Sequence, residues 1–299
     1  MKRTISTFVC IIIFLFVILS CLDKSDYTIE KKLWRVQKRF DRIVRDPKVV
    51  PDHEFEDVVK RYKRITDQYS QSQYVSRVYL QIGRVYVIKR DFVKARETFQ
   101  EILTRYPKDL ALCAEVLLNI GATYENDNNI LQAISVYRQI IADYPLTEIG
   151  INMPLYLARY YTKLKRFNES QEAFKEALDF YKKLSQENPQ TPIDYMALRI
   201  LVRTYIVQKD WEGALQTLEK LLLEFPSNPY LNPQSADTLI KSINTLSVAQ
   251  LKNFDLPIQI YRKFIGQNTN HPLNEHLEKV IKELKKLKEK NLSASTKGE

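Results

Sequence analysis

Glycine is scarce in this chain: 6 among 299 residues, about 2% where roughly 7% is usual. They stand at Gly83, Gly121, Gly150, Gly213, Gly266 and Gly298, and no two are close enough to share a loop. Phosphate-cradling loops, dinucleotide-binding turns and hairpin-rich β folds each need several closely spaced glycines. The GxGxxG and GxxxxGK[ST] patterns are therefore absent, and an all-β fold is disfavoured. Histidine and cysteine are equally sparse, with 3 of each. His271 and His276 are five apart, which is not the i, i+4 spacing that sets two ligands on one helical face, and His53 is remote from both. No serine sits in a G-x-S-x-G setting. The expectation is a protein with no metal, no cofactor and no catalytic set, in which Cys113 is a buried thiol and not a nucleophile. Three scattered cysteines also make no disulfide framework.

What is present is a chain 44% apolar and 27% charged, ample for a sizeable core, with a formal charge of +10. It opens with Lys2 and Arg3 ahead of an apolar run from Phe8 to Leu19. That run is shorter than the ~20 residues a membrane-spanning helix requires. A positive start and a short apolar stretch describe an export signal, and an uncleaved anchor is the competing reading. The stretch ends in Ile18-Leu19-Ser20-Cys21, which resembles a bacterial lipobox. The resemblance implies a signal peptide over 1–20, diacylglycerol transfer to Cys21 with N-acylation of the new terminus, and a lipidated tether over 21–27. Leu22, where an Asp would favour retention at the inner membrane, implies an outer-membrane location facing the periplasm.

Four segments then repeat. The first reads Ile82-Gly83, Tyr86, Phe92, Ala95, Phe99, Pro107; the second Ile120-Gly121, Tyr124, Ile130, Ala133, Tyr137, Pro145. The third reads Leu157-Ala158, Tyr161, Phe167, Ser170, Phe174, with its proline delayed to Pro189. The fourth reads Leu201-Val202, Tyr205, Trp211, Ala214, Leu218, Pro226. Apolar residues three, four and seven apart line one face of each helix, a small residue permits close crossing, and proline stops the second helix. This pattern resembles the tetratricopeptide repeat. It implies an all-α solenoid, a right-handed superhelix of antiparallel helix pairs over 28–272, with its clearest units near 76–109, 114–147, 151–184 and 195–228. The units are spaced more widely than the family standard, and the surplus is assigned to the connections Pro145–Asn152 and Ser185–Asp194, with Gly150 and Gly266 also placed in connections. Phrases such as Phe99–Pro107 and Tyr137–Pro145 resemble those of the β-barrel-assembly and Tol–Pal-associated envelope lipoproteins.

The flanks extend the pattern. Thr28–Arg45 and Phe55–Tyr69 make a degenerate first pair across the Pro47/Pro51 loop, and Ala236–Phe264 a degenerate last one with Pro257 at the alanine position. The charged stretch 273–290, with Leu277, Ile281, Leu284 and Leu287 on one face, suits a capping helix, because a solenoid must close its last open face. The polar tail 291–299 is expected to be disordered.

By the resemblance, the first helix of each pair lines the concave groove, which places Arg77, Leu80, Arg84, Leu118, Leu155, Arg159, Arg199 and Arg203 there. Arginines beside leucines suit a partner segment carrying acidic and apolar groups; arginines paired to neighbouring carboxylates are the alternative. A second surface is the basic face of the first helix, Lys31, Arg35, Lys38, Arg42 and Arg45, which could lie on anionic headgroups or be merely solvated. The 18 tyrosines are assigned mainly to packing, so nucleic acid is not an expected partner, nor is a small-molecule substrate. The sequence thus points to a lipid-anchored scaffold of the bacterial envelope that binds other envelope proteins, an adaptor in outer-membrane protein assembly or envelope maintenance. A periplasmic lipoprotein binding peptidoglycan or peptides is the second reading, and an enzyme with an unrecognised site the third.

Overall fold

The computed structural model describes residues 26–227 and 229–295. The expected signal peptide, Cys21, Gly298 and the end of the tail lie outside the described residues. Every regular element among the described residues is helical, and the chain divides into two compact units at Gly150/Ile151.

The first unit contains α1 (Asp26–Arg45), α2 (Asp52–Gln68), α3 (Val75–Lys89), α4 (Phe92–Arg105), α5 (Leu110–Asn126) and α6 (Ile130–Asp143). Short polar side chains start three of these helices. Asp91, Asp109 and Asn129 accept the backbone N–H of the residue three further on, which satisfies a donor that the first turn cannot. Stops are equally local: Arg90 closes α3 in the left-handed region (φ 66°), while Tyr106 and Tyr144 close α4 and α6 just before Pro107 and Pro145. The expected first pair is present. Ile29, Val36, Phe40 and Ile43 of α1 join Phe55, Val58, Tyr62 and Ile65 of α2 and Val78, Ile82 and Val85 of α3 in one core, and Tyr62 Oη donates to Gln37 Oε1 across 2.9 Å.

In this unit Gly83 and Gly121 serve the close approach that their spacing predicts. A Cβ on Gly83 would overlap the Phe99 ring, and one on Gly121 the Tyr137 ring; both rings are fully buried. Cys113 sits within the first turn of α5, because that helix starts at Leu110, ahead of the start that the repeat spacing implies. It is buried, its thiol donates weakly to the Tyr106 carbonyl at 3.4 Å, and burial pushes its pKa up.

The second unit holds α7 (Glu148–Lys163, all but its start), α8 (Phe167–Glu187), α9 (Pro192–Gln208), α10 (Trp211–Glu224) and α11 (Pro233–Asn244). A π-helical turn (Thr245–Gln250), α12 (Asp255–Gln267) and α13 (Asn274–Ser295) complete it. The surplus residues expected in connections lie largely in helix instead. The α8 helix has 21 residues where α4, α6 and α10 have 14, and α7 begins at Glu148. Gly150 and Gly266 are likewise helical. Gly150 is tight against the Tyr144 carbonyl, whereas Gly266 faces open space.

Pro154 stands inside α7, where proline normally breaks the hydrogen-bond ladder. The buried Tyr181 hydroxyl of α8 mends it. Its Oη donates to the Ile151 carbonyl at 2.9 Å and accepts the Leu155 N–H at 3.2 Å, bridging those two groups beside the proline. Pro257, in the first turn of α12, removes only a donor that has no intrahelical partner anyway. On α13, Leu277, Ile281 and Leu284 are buried as a cap requires, but Leu287 is half exposed and the helix runs past Lys290 to Ser295.

Candidate partner-binding clefts

The eight residues assigned to the groove do not act alike. In the first unit Arg77 and Leu80 of α3 line a shallow cleft of about 300 Å³ with Asp109, Glu115 and Glu148. Three carboxylates against one arginine make that cleft a poor receptor for an acidic ligand. Arg84 faces Glu115, Nη2 to Oε1 at 3.3 Å, so part of the ladder follows the self-paired alternative. Leu80 is buried and contributes wall rather than surface, and Leu118 is half-buried and outside the cleft lining.

In the second unit Leu155 is turned into the core, and its backbone serves the Tyr181 bridge, which corrects its assignment to a partner surface. Arg159 is exposed and lines neither that cleft nor the one beside α9. Arg199 and Arg203 behave differently. They stand one turn apart on α9 and line a cleft of about 470 Å³ between α9, α10 and α11. Its floor is apolar, with Val202, Leu218, Leu221 and Phe225, and its far wall carries the hydroxyls of Ser235, Thr238 and Ser242. No carboxylate is among its lining residues.

One end of this cleft is an aromatic cluster that the repeat pattern does not reveal. Tyr195, Phe225 and Tyr230 have ring centroids 4.7–5.3 Å apart in tilted and edge-on arrangements. Tyr195 Oη donates to the Tyr230 carbonyl at 3.3 Å, and the Arg199 guanidinium lies over the Tyr195 ring at 5.6 Å. A cation held over an aromatic face is restrained before any ligand arrives. The signal for this cluster lies in the connection Pro226–Pro233, where Pro229 and Tyr230 fall outside the repeat period. Closely spaced prolines around an aromatic pre-set the backbone and so fix where that ring points.

His271 and His276 make contacts within the fold. His271 Nδ1 accepts the Leu273 N–H at 3.1 Å, so the proton rests on Nε2, which donates to the Pro226 carbonyl at 2.7 Å. His276 faces Asp237 at 3.6 Å. Among the described residues no group of three or more His, Cys, Asp or Glu could hold a metal ion, and no helix is long and apolar enough to cross a membrane.

Tetratricopeptide-repeat models match residues 77–109 and 115–147, and a further one matches 169–232. These segments are tetratricopeptide repeats. Such repeats indicate a scaffold for protein–protein interaction, and they are typically non-enzymatic. The match through 169–232 takes in the cleft's α9 and α10 walls, while residues 26–76, 110–114, 148–168 and 233–295 lie outside the matches. Similar solved structures include BtubC (BKLC) from P. vanneervenii, 16% identical over 82% of this chain and 91% of that one, with a TM-score of 0.40. The TPR2AB-domain:pHSP90 complex of yeast Sti1 is 10% identical over 87% and 100%, at 0.34. A tetratricopeptide repeat protein from Parabacteroides merdae is 13% identical over 85% and 98%, at 0.31. No curated protein matches the chain.

Proposed function

We propose that this protein is a lipid-anchored scaffold of the bacterial cell envelope that holds a partner protein in the α9–α11 cleft. The observation that carries the reading is the pairing of Arg199 and Arg203 with an apolar floor and an acid-free lining. Two guanidinium groups without carboxylates in the lining favour an anionic ligand, and the floor favours large apolar groups beside the charge. The occupant is therefore a partner segment in which acidic residues alternate with large apolar ones. The lipid anchor, Cys21, and the placement at the outer membrane facing the periplasm rest on the run from Lys2 to Leu22. An adaptor role in outer-membrane protein assembly or envelope maintenance joins these two parts.

A labelled peptide of alternating Glu and Leu tests the cleft by fluorescence anisotropy. Binding should weaken about tenfold or more for the Arg199→Glu, Arg203→Glu double variant, and similarly when Gln replaces Glu in the peptide. Charge reversal at Arg77 should have little effect, because its cleft is already acidic. Equal affinity for the wild type and the double variant would remove the cleft from the proposal. Incorporation of labelled palmitate that persists after Cys21→Ala would remove the anchor.

A further inference from the structure

The cations of α1 fall into two classes. Lys32 and Arg39 are used internally: Lys32 Nζ donates to Gln68 Oε1 at 3.1 Å, and Arg39 reaches Glu54 at 2.9 Å and Asp57 at 3.2 Å on α2. Lys31, Arg35, Lys38, Arg42 and Arg45 are all exposed or half-exposed, and none forms an ion pair among the described residues. At 3.6 residues per turn these five fall within about 100° of the helix circumference. Two large aromatics share that arc: Tyr27 is 71% exposed and Trp34 is 58% exposed. The lysines lie over them, Lys38 Nζ at 3.9 Å from the Trp34 centroid and Lys31 Nζ at 5.9 Å from that of Tyr27. No acidic residue lies inside the arc. Asp41 borders it and accepts the Gln37 amide at 2.8 Å.

Packing gives no reason for this composition, because the opposite face (Ile29, Val36, Phe40, Ile43) already supplies the core. A solvated face needs charge, but it gains nothing from an exposed indole and phenol. An anionic bilayer surface uses both kinds of group. Tryptophan and tyrosine rings settle at headgroup depth, where one edge is apolar and the other wet, and each nearby Lys or Arg adds attraction to anionic lipid. We infer that the outward face of α1 docks flat on an anionic phospholipid surface, with Trp34 and Tyr27 set among the headgroups and the five cations paired to lipid phosphates. The inference is independent of the α9–α11 cleft, since none of its residues belongs to that unit.

Trp34 reports on its own docking. The chain has 2 tryptophans, Trp34 and Trp211, so the full chain carrying Trp211→Phe leaves Trp34 as the single indole. This protein is mixed with vesicles of phosphatidylcholine alone, or of phosphatidylcholine and phosphatidylglycerol in equal amounts. Whatever the residues ahead of Asp26 contribute applies to both compositions. The expected result is a blue shift of Trp34 emission and protection from iodide quenching in the anionic vesicles only, reversed by salt. Arg35→Gln and Arg42→Gln should reduce the docked population about fivefold for each charge removed. Circular dichroism and thermal melting should be unchanged in these variants, since both side chains are outside the core. The same emission in both vesicle types, shifted or not, overturns the inference. So does an equal shift produced by soluble polyglutamate without vesicles, which would make the face a site for an acidic protein.

Discussion

The two units solve the same packing problem with glycine on opposite helices. In two pairs of the first unit the glycine is on the leading helix, Gly83 on α3 and Gly121 on α5, and a fully buried ring from the following helix, Phe99 or Tyr137, fills the space it leaves. In the second unit the corresponding positions hold the pairs Ala158 and Phe174, then Val202 and Leu218, all buried. The ring is kept opposite alanine and gives way to leucine only opposite the larger valine. The fourth repeat recovers close contact elsewhere: Gly213, on the following helix, has the Tyr205 ring 2.7 Å from where a Cβ would stand. At each crossing the room for one residue is set by its partner, which is why interiors packed to crystal density resist single enlargements.

The largest expected effect overfills that room. Gly83→Ala or Gly121→Ala drives a methyl into a ring held on all sides and should cost about 3 kcal/mol, read as a lowered denaturation midpoint. Adding Phe99→Leu to Gly83→Ala should return part of the loss, because that pair then approaches the Val202/Leu218 arrangement. Single and double variants that melt together at the wild-type midpoint would show that the crossing is not size-limited.

A smaller effect probes the repair in the second unit, for which the first has no equivalent. Tyr181→Phe keeps the ring but strands the Ile151 carbonyl and the Leu155 N–H beside Pro154, at a cost of about 2 kcal/mol for buried groups left unsatisfied. The same residue makes the units differ in alkali. Burial raises the phenol pKa strongly for Tyr62 in the first unit and for Tyr181 and Tyr261 in the second, and more modestly for Tyr106 and Tyr144 in the first, above the ordinary value of 10.0. A raised phenol pKa favours the neutral form when folded. That contribution is complete below the unfolded value and is lost as the pH climbs past it toward the folded one. Above pH ~10 the second unit, with two of the three strongly raised phenols, should open before the first, and hydrogen exchange resolved by helix would show the order. Simultaneous opening would mean that the phenols do not set alkaline stability.

Periodicity made the helix pairs legible, since the offsets from Gly83 to Phe99 and from Gly121 to Tyr137 describe contacts that the structure contains. It could not foresee that surplus residues at Ser185–Glu187 would prolong α8, because a helix lengthens at little local cost where no proline or glycine stops it. Nor could it separate Leu155 from Arg199: both fit groove positions of the repeat, but a proline one residue before Leu155 draws that backbone into a buried bridge. The cleft's arginines are visible from spacing. Its aromatic end is not, because Tyr230 belongs to a connection, where side-chain direction follows from turn geometry and not from a period.

The smallest expected effect reverses the sign of the first and so isolates its cause. Gly266 lies in the last turn of α12 at negative φ, and apart from its chain neighbours and the adjacent helix backbone no atom lies within 4 Å of the place a methyl would take. Gly266→Ala lowers the entropy of the unfolded chain and meets no neighbour, so it should raise stability by about 0.5 kcal/mol. The chemical change is the same as in Gly83→Ala; only the space differs. If Gly266→Ala were destabilising by as much as Gly83→Ala, the loss at Gly83 could not be assigned to the Phe99 ring, and backbone propensity would have to account for both.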